Sequence, residues 1–399
     1  MQAERGKRLI VFSLFSYNEK KNVRNQETMQ ELSDRRKKRC DRIKAAIMLE
    51  GVLLLVVGMI FFDHTGLWKK ETVETTAEGA IKWVDFKVSY EALCKAYEYD
   101  VETYGTEVHL DWIELLAYVA AKSGGEFGVN AVSDMKEIAE KLEKKETTME
   151  EAVKGLEYYP YYHEAYQAVL GGFVGEYEIQ EKEGGKYVKK YGLKAFSPIA
   201  KGFPYSDYDD FGVSRSYGYR RQHLGHDMMG QVGTPIIAIE SGTVEALGWN
   251  QYGGWRIGIR SFDGKRYYYY AHLRQNYPYC EELKEGGTVT AGQVIGYMGH
   301  TGYSTKENVN NIDQVHLHYG LELIFDEKRR AEGNEIWVDC YNLTRFLYKN
   351  RSEVKKVEGT KEWKRTLDMK DTAASDKESR PEKQEKTKTE KNSKKCKRS

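Results

Sequence analysis

Two short histidine-containing segments, far apart in the chain, constrain the fold most, because their chemistry requires them to meet. His223 and Asp227 stand four residues apart in RRQHLGHDMMGQ, and His316 and His318 stand two apart in VHLHYGLEL. Together they supply two imidazoles and a carboxylate for one metal ion, with one further imidazole beside it. A catalytic zinc takes three protein ligands and keeps its fourth position for water, whereas a structural zinc fills all four. The pattern therefore indicates a hydrolytic zinc site.

The sequence around these residues favours β-strands. The chain has nine histidines in 399 residues, so an HxH pair arises by chance about 0.2 times and the spacing alone is weak. In a strand, residues i and i+2 point to one face, which places His316 and His318 in the same groove. The run RYYYYAHL is rich in strand-forming aromatic residues and ends in His272. This strand offers a second imidazole that need not bind the metal.

The stretch from about Phe203 to Phe346 resembles the lysostaphin/LytM-type zinc endopeptidases, which cut peptide cross-links in bacterial cell walls. The likeness runs in order through HLGHD, VGTPIIAIESGTVEALGW, YGGWRIGIRSFDG, YYAHL, VTAGQVIGYMGHTGYST, VHLHYGLEL and WVDCYNLTRFL. The resemblance implies a mostly antiparallel β domain with an open groove. Short strand-like runs separated by glycine turns favour the same fold.

The resemblance also implies a division of roles within the site. His223, Asp227 and His318 are its zinc ligands, and His272 and His316 are its catalytic imidazoles without a bond to the metal. Neutral imidazole and carboxylate suit zinc, which lowers the pKa of a bound water to about 7. A positioned histidine can take a proton from that water and pass it to the leaving amine. The sequence leaves open which of the two imidazoles performs which transfer.

Two further features concern the walls of the expected groove. A tyrosine near the first ligand, Tyr217 or Tyr219, is a candidate donor of a hydrogen bond to the oxyanion. Members of the family pass from a TGxST turn to HLH within a few residues, whereas here KENVNNIDQV separates Thr305 from His316. This polar, asparagine-rich insertion predicts a surface loop at the rim of the groove. We expect it to alter substrate access and to leave the ligands intact.

The N-terminal part of the chain predicts a membrane anchor. A basic cluster, RRKKRCDRIK, precedes the apolar run AAIMLEGVLLLVVGMIFF, and residues 43–62 approach the roughly 20 residues that span a bilayer. The positive-inside rule then places residues 1–42 in the cytoplasm and everything after about Phe62 outside the cell, beginning with a linker at 63–84. Glu50 is an awkward residue within the span, because a carboxylate there costs up to about 3 kcal/mol. The alternative is a buried core helix.

Residues 85–180 predict a helical domain of about five short helices. Apolar residues recur there at three- and four-residue intervals, as in DWIELLAYVAAKSGG and YHEAYQAVLGGF. Asp134 is the expected N-cap of the third helix, and the glycine pairs at 124–125 and 171–172 indicate helix ends.

The string LLAYVAAKSGGEF in this domain weakly resembles lysozyme-like domains, in which a helix ends in a catalytic glutamate followed by Ser-Gly-Gly. Here that position is Lys122, and lysine cannot protonate a leaving glycosidic oxygen as a carboxylic acid does. Three interpretations remain open. The domain is an unrelated spacer, a glycan- or partner-binding relic, or an active muramidase that uses Glu126.

The remaining segments complete an α+β multidomain chain. Residues 181–197 predict a linker and 198–350 the peptidase domain. Residues 351–399 lose nearly all apolar side chains and are expected to be disordered. Basic residues outnumber acidic ones in this tail, so it either adheres to anionic wall polymers or lipid head groups or is a solvated tail without a partner. The whole chain carries a formal net charge of only +1, so we expect no nucleic-acid partner.

These features predict a single-pass membrane protein whose extracellular portion is a zinc endopeptidase acting on amide bonds in peptidoglycan stem peptides or cross-bridges. One alternative is a non-catalytic envelope scaffold with a peptidase-like fold. It is disfavoured because such relatives lack a zinc ligand, whereas every ligand position is filled here. The other alternative keeps the enzyme and replaces the substrate with an extracellular protein.

Overall fold

A computed structural model describes residues 81, 84–217 and 219–371 of the chain. All of them lie in one compact unit. The predicted cytoplasmic segment 1–42 and the predicted membrane span 43–62 lie outside the described residues. Within the described ranges, no helix is long and apolar enough to cross a membrane.

The helical segment begins the described chain and contains the expected five helices. The helices of the described residues are α1 (Tyr90–Thr103), α2 (Trp112–Ser123), α3 (Ala131–Glu143), α4 (Met149–Ala152), α5 (Tyr159–Leu170), α6 (Glu327–Ala331) and α7 (Tyr341–Leu347). Asp111 caps α2 by accepting hydrogen bonds from two backbone amides of its first turn. Gly124 ends the same helix in the left-handed conformation, with φ of 68°, as glycine at this position permits.

The predicted N-cap of the third helix is wrong. α3 begins at Ala131 with Asn130 as its N-cap, and Asp134 lies within its first turn. The Asp134 carboxylate instead accepts a hydrogen bond from Lys122 at 3.3 Å. Acidic residues are favoured anywhere in the first turn of a helix by its dipole, so the residue type alone did not fix the cap position.

Seventeen strands follow in the described residues, most of them short. They are β1 (Val174–Gln180), β2 (Tyr187–Leu193), β3 (Ser206–Asp207), β4 (Ser214–Tyr217), β5 (Tyr219–Gln222), β6 (His226–Met229), β7 (Pro235–Ile237), β8 (Gly242–Asn250), β9 (Gly254–Ser261), β10 (Arg266–Ala271), β11 (Thr288–Val289), β12 (Val294–Tyr297), β13 (His316–Leu323), β14 (Ile336–Val338), β15 (Val354–Lys356), β16 (Trp363–Arg365) and β17 (Met369–Asp371).

The central sheet is antiparallel, as the sequence predicted. Its strand order is β11-β8-β9-β10-β13-β6-β3, and β14 also pairs with β13. Along β10, Tyr268 and Tyr270 are fully buried in the core, whereas Tyr267 and Tyr269 line a groove on the other face. The alternation of a strand therefore gives the tyrosine run two roles, core packing and groove wall.

The helical segment and the sheet share one hydrophobic core. Phe346 of α7 makes ring contacts with Tyr97 of α1 and Trp112 of α2, with centroid distances of 5.5 Å and 5.8 Å. The predicted helical domain 85–180 is therefore packed directly on the predicted peptidase domain and is not a separate body.

Two predicted irregular segments are in fact strands. The expected linker 181–197 contains β2, which pairs with β1 in an antiparallel hairpin. The expected disordered tail 351–399 is ordered at least to Asp371, because β17 pairs with the other edge of β1. Met369 of β17 is 2% exposed, and Lys194 forms an ion pair with Asp371 at 3.0 Å. A few well-placed side chains therefore order a segment whose average composition is polar. Residues 372–399 lie outside the described residues.

Candidate metal centre and groove

Pairing of β6 with β13 brings the two histidine-containing segments together. In the register of these strands, Asp227 lies directly opposite His318. His223 lies in the short connection between β5 and β6. Gly225 in this connection approaches His318 so closely that a Cβ added to the glycine would lie 2.5 Å from the His318 ring. Glycine is therefore required where the connection bends over β13.

Three donor atoms converge at this point. Nε2 of His223 lies 3.0 Å from Oδ1 of Asp227 and 3.0 Å from Nδ1 of His318. Nδ1 of His318 lies 2.9 Å from the same Asp227 oxygen. The three atoms thus form a nearly equilateral triangle, and they are a group that could hold a metal ion.

The triangle fits zinc in size and in donor chemistry. Zinc bonds of about 2.0–2.1 Å at tetrahedral angles place ligand atoms about 3.3 Å apart, close to the separations found here. His223 Nδ1 faces the carbonyl oxygen of Asp210 at 3.1 Å. Donation of the Nδ1 proton to that oxygen leaves Nε2 with a free lone pair. Lone pairs facing a carboxylate oxygen at 3 Å repel one another unless a cation lies between them.

A second set of polar contacts orients the ligands. Nη2 of Arg215 donates to Oδ2 of Asp227 at 3.2 Å and to Oδ2 of Asp210 at 2.5 Å. Arg215 occupies one oxygen of Asp227 and leaves Oδ1 directed at the two imidazoles. Partners of this kind fix the orientation of a ligand and tune its basicity.

The ionisation of the three ligands reflects their mutual contacts. Burial raises the pKa of Asp227, but its contacts with the His223 and His318 imidazoles outweigh burial and hold this pKa well below its usual value. Burial lowers the pKa of His223, yet the neighbouring Asp227 and Asp210 carboxylates raise it overall. Burial dominates at His318 and lowers its pKa. Asp227 is therefore ionised across the physiological range, as a metal ligand must be.

The two other predicted histidines lie beside the triangle. His316 Nε2 is 3.7 Å from Oδ1 of Asp227, and its Nδ1 faces the Gln314 carbonyl at 2.8 Å. His272 Nδ1 faces the Thr301 carbonyl at 2.9 Å, and its ring centroid lies 4.7 Å from that of His316. In both rings the Nδ1 proton is donated to a carbonyl, so Nε2 is the free acceptor.

His272 is held in place by an unusual local backbone. Its φ is 62°, a left-handed conformation that costs energy for a residue with a side chain. Its backbone amide donates to the Gly253 carbonyl at 2.7 Å. Burial, followed by the nearby His316 and His318 imidazoles, lowers the pKa of His272 well below its usual value. His272 is consequently neutral at neutral pH.

The five histidine and aspartate residues open into one groove with a volume of about 610 Å³. Aromatic side chains form part of its wall, and the Tyr269 ring lies 6.0 Å from His318 and 6.2 Å from Trp337. An open groove with a donor triangle at its base suits an extended peptide.

The insertion KENVNNIDQV is a loop, as predicted. Asn308 anchors it by accepting hydrogen bonds from Nε1 of Trp255 and the amide of Asn276, both at 2.9 Å. Among the described residues, Tyr303 and His316 on either side of the loop line the groove, and residues 306–315 do not. An effect of the loop on substrate access remains a prediction.

The predicted tyrosines lie on a hairpin next to the metal centre. Tyr217 of β4 and Tyr219 of β5 are register partners; their side chains lie outside what the structure describes, so their oxyanion role stays a prediction. The sequence reasoning missed Asp210, Arg215 and Thr301. No spacing identifies these residues, because they meet the ligands through folded loops and a hairpin.

The candidate residues of the helical segment form a different environment. The Glu126 carboxylate is 70% exposed and accepts a hydrogen bond from Lys87 at 3.2 Å. A general acid for glycoside hydrolysis needs a raised pKa, which burial normally supplies. The Glu126 carboxylate is exposed rather than buried, which disfavours the muramidase interpretation.

Comparison with known proteins gives similarity over the region of the site. Residues 221–329 match Peptidase family M23, whose members are zinc metallopeptidases. The L-Ala–D-Glu endopeptidase of Bacillus subtilis is 40% identical over 117 residues, which cover 29% of this chain and 34% of that protein. Lysostaphin of Staphylococcus simulans is 37% identical over 111 residues, which cover 28% of this chain and 20% of that protein.

One solved structure is similar to part of the chain. The catalytic domain of lysostaphin from Staphylococcus simulans is 30% identical, with a TM-score of 0.28, and the match covers 35% of this chain and 92% of that domain. The chain spans about a third or less of the length of the two curated relatives. The matched residues include His223, Asp227 and His318, the three residues that could hold a metal ion.

Proposed function

We propose, from the M23 domain of this chain, that the protein is a zinc metalloendopeptidase that hydrolyses amide bonds in peptidoglycan peptides. One observation carries the proposal: the three donor atoms lie about 3 Å apart at the base of an open groove, with two further imidazoles beside them. A site with three ligands and adjacent proton carriers is the arrangement of a hydrolytic zinc centre.

The residues of the groove have distinct tasks in this reaction. When bound, zinc supplies Lewis acidity that lowers the pKa of a coordinated water and polarises the substrate carbonyl. His316 presents Nε2 next to the Asp227 oxygen and is positioned to accept the proton of the attacking water. Its Nδ1 contact with Gln314 fixes the tautomer that this transfer requires.

His272 is the second proton carrier. Its low pKa keeps it neutral at rest, so Nε2 can hold a hydrogen bond to the reacting centre as an acceptor or carry a proton transiently to the leaving amine. The Thr301 carbonyl fixes the orientation of the ring. Arg215 and Asp210 hold the ligands, and the aromatic wall around Tyr269 limits access of bulk water.

The location of the enzyme is a further part of the proposal. Residues 43–62 anchor the chain in the membrane, residues 1–42 lie in the cytoplasm, and the catalytic domain lies outside the cell where peptidoglycan is. This rests on the apolar run and its basic N-terminal flank. The basic C-terminal residues provide electrostatic attraction to anionic wall polymers.

The test is digestion of purified cell wall by the full chain, followed by mass spectrometry of the released peptides. We expect wild-type protein to release fragments with new amino termini and a His316→Ala variant to release them about 10² to 10⁴ times more slowly. His300→Ala is the matched control, because His300 Nδ1 contacts only the Ile312 carbonyl. The proposal is contradicted if the wild-type protein binds zinc but releases no more wall fragments than His316→Ala does.

A further inference from the structure

Four arginine side chains line the groove, and two of them are neutralised by neighbours. Arg215 pairs with Asp227 at 3.2 Å, and Arg330 pairs with Glu322 at 3.0 Å. These ion pairs are part of the walls of the groove. They leave little positive potential for a ligand.

The other two arginines, Arg221 and Arg256, are not neutralised. Within the described ranges, neither has a carboxylate within the 4.0 Å of an ion pair. Both are half-buried. Arg221 donates to the Tyr303 hydroxyl, and its guanidinium lies 5.1 Å from the Tyr303 ring centroid and 5.5 Å from that of Tyr252. The tyrosine contacts hold the charge of Arg221 in place without cancelling it.

Both cations line the groove that contains the metal centre. Each acts electrostatically on Tyr269, whose ring lies 6.0 Å from His318. Tyr303, the partner of Arg221, lies 5.9 Å from His272 by ring centroid. The remaining groove carboxylate, Glu335, accepts a hydrogen bond from Nε1 of Trp337 at 2.7 Å. Two arginine charges without a paired carboxylate therefore line the same groove as His272 and His316.

We propose that Arg221 and Arg256 bind a free carboxylate of the substrate next to the scissile bond. The inference rests on the proposed function and narrows its substrate to acidic stem peptides. Neutral oligoglycine bridges carry no such group within the peptide. A half-buried guanidinium has lost part of its hydration, and a carboxylate replaces that hydration with charge-assisted, geometrically matched hydrogen bonds.

The experiment measures kcat/KM of the full, zinc-loaded chain on four synthetic peptides. The first is a tetrapeptide with γ-linked D-glutamate, a free α-carboxylate and a free C-terminus. The second carries an α-carboxamide on the glutamate, the third a C-terminal carboxamide, and the fourth is pentaglycine. We expect the carboxylate peptide to exceed one of its amide counterparts about tenfold to a hundredfold, in line with a charge-assisted hydrogen bond. The amide peptide that is cleaved more slowly identifies the carboxylate that the enzyme recognises.

Variants connect that preference to the two arginines. Arg256→Gln and Arg221→Gln are expected to reduce the acid-to-amide ratio towards one, mainly through KM, and Arg256→Lys to retain part of it. Arg220→Gln is the matched control, since Arg220 is the exposed neighbour of Arg221 on β5 and lies outside the groove lining. It should keep the wild-type ratio.

Binding provides a readout that does not depend on turnover. Fluorescence polarisation of the labelled acid peptide with chelator-treated protein should show weaker binding in Arg256→Gln than in wild type, with the amide peptide bound equally by both. Cleavage of acid and amide peptides at equal rates, or an unchanged ratio in both glutamine variants, overturns the inference and leaves the proposed function intact. Failure to cleave any of the four peptides or purified wall instead overturns the proposed function.

Discussion

Nη1 of Arg266 on β10 donates a hydrogen bond to the carbonyl oxygen of Ala168 in α5 at 2.8 Å. The guanidinium is 1% exposed and also bonds both oxygens of Glu240, at 2.7 Å and 3.1 Å. The chain after α5 passes so close that a Cβ on Gly172 would lie 1.8 Å from the Glu240 carboxylate. A buried ionic contact therefore joins the helical segment to the sheet that carries the metal centre.

Replacement of Arg266 by methionine is expected to destabilise the whole compact unit by about 3–5 kcal/mol, because it leaves the buried Glu240 carboxylate without its partner. Urea unfolding monitored by tryptophan fluorescence and far-UV circular dichroism measures this. Both signals should shift together, since helices and sheet share a core. Arg329→Met, on the surface of α6, should change stability by less than about 0.5 kcal/mol. Separate transitions for the two signals would contradict a shared core.

Substitution of Asp227 by asparagine is expected to reduce bound zinc from about one ion per chain to a small fraction, because the site loses its only anionic ligand. Metal analysis after dialysis against dilute zinc gives the stoichiometry. His300→Ala should retain zinc, as its ring lies away from the donor triangle. Full zinc content in Asp227→Asn would exclude the proposed ligand set.

Gly254→Ala is expected to impair His272 without touching the metal ligands. Gly254 has φ of 66°, and an added Cβ would lie 2.4 Å from the Thr301 carbonyl carbon, whose oxygen orients His272. We expect destabilisation of about 1–3 kcal/mol and loss of activity with zinc retained. Gly264→Ala is the control, since its φ is 79° with open space around the new methyl group. Equal activity in the two variants would refute the orienting role of Thr301.

Truncation after Asn350, at the domain boundary predicted from sequence, is expected to lower the melting temperature. It removes β17 from the edge of β1 and exposes surface now covered by Met369, whose burial contributes roughly 1.5–3 kcal/mol. Truncation after Thr372 retains all described strands and should melt like the full chain. Differential scanning calorimetry of the three proteins decides this, and equal melting of both truncations would show that β17 adds no stability.

Acid should weaken the contact between Asp263 and Arg266. Burial raises the pKa of Asp263, but attraction by Arg266, 2.8 Å away, and further hydrogen bonds lower it overall. A depressed folded pKa contributes stability that is present above the unfolded pKa of about 3.9 and is lost as pH falls through the folded value. The difference in unfolding free energy between wild type and Asp263→Asn should be largest near pH 7 and shrink below pH 4. A difference in unfolding free energy that grows as the pH falls would contradict this prediction.

Strand alternation and donor chemistry made much of the site predictable. The spacing of His316 and His318 placed them on one face of a strand. The series of segments that resemble the peptidase family in the same order identified His223, Asp227 and His272 as their partners. The helix number followed from apolar periodicity. The predictions of a linker at 181–197 and of disorder from 351 to 371 were wrong, because composition averages over a window, whereas single contacts such as those of Met369 and Lys194 decide whether a polar segment is ordered.

The sequence by itself determined which side chains are available and which of them share one face of a strand, because both are local properties of the chain. Only the tertiary structure decided that Arg215 reaches Asp227 and that Thr301 orients His272. It also decided that Arg221 and Arg256 have no paired carboxylate among the described residues. Each of these depends on which loops and strands come within hydrogen-bonding distance. Such distances arise from the packing of the whole unit, including the helical segment, and no local pattern encodes them.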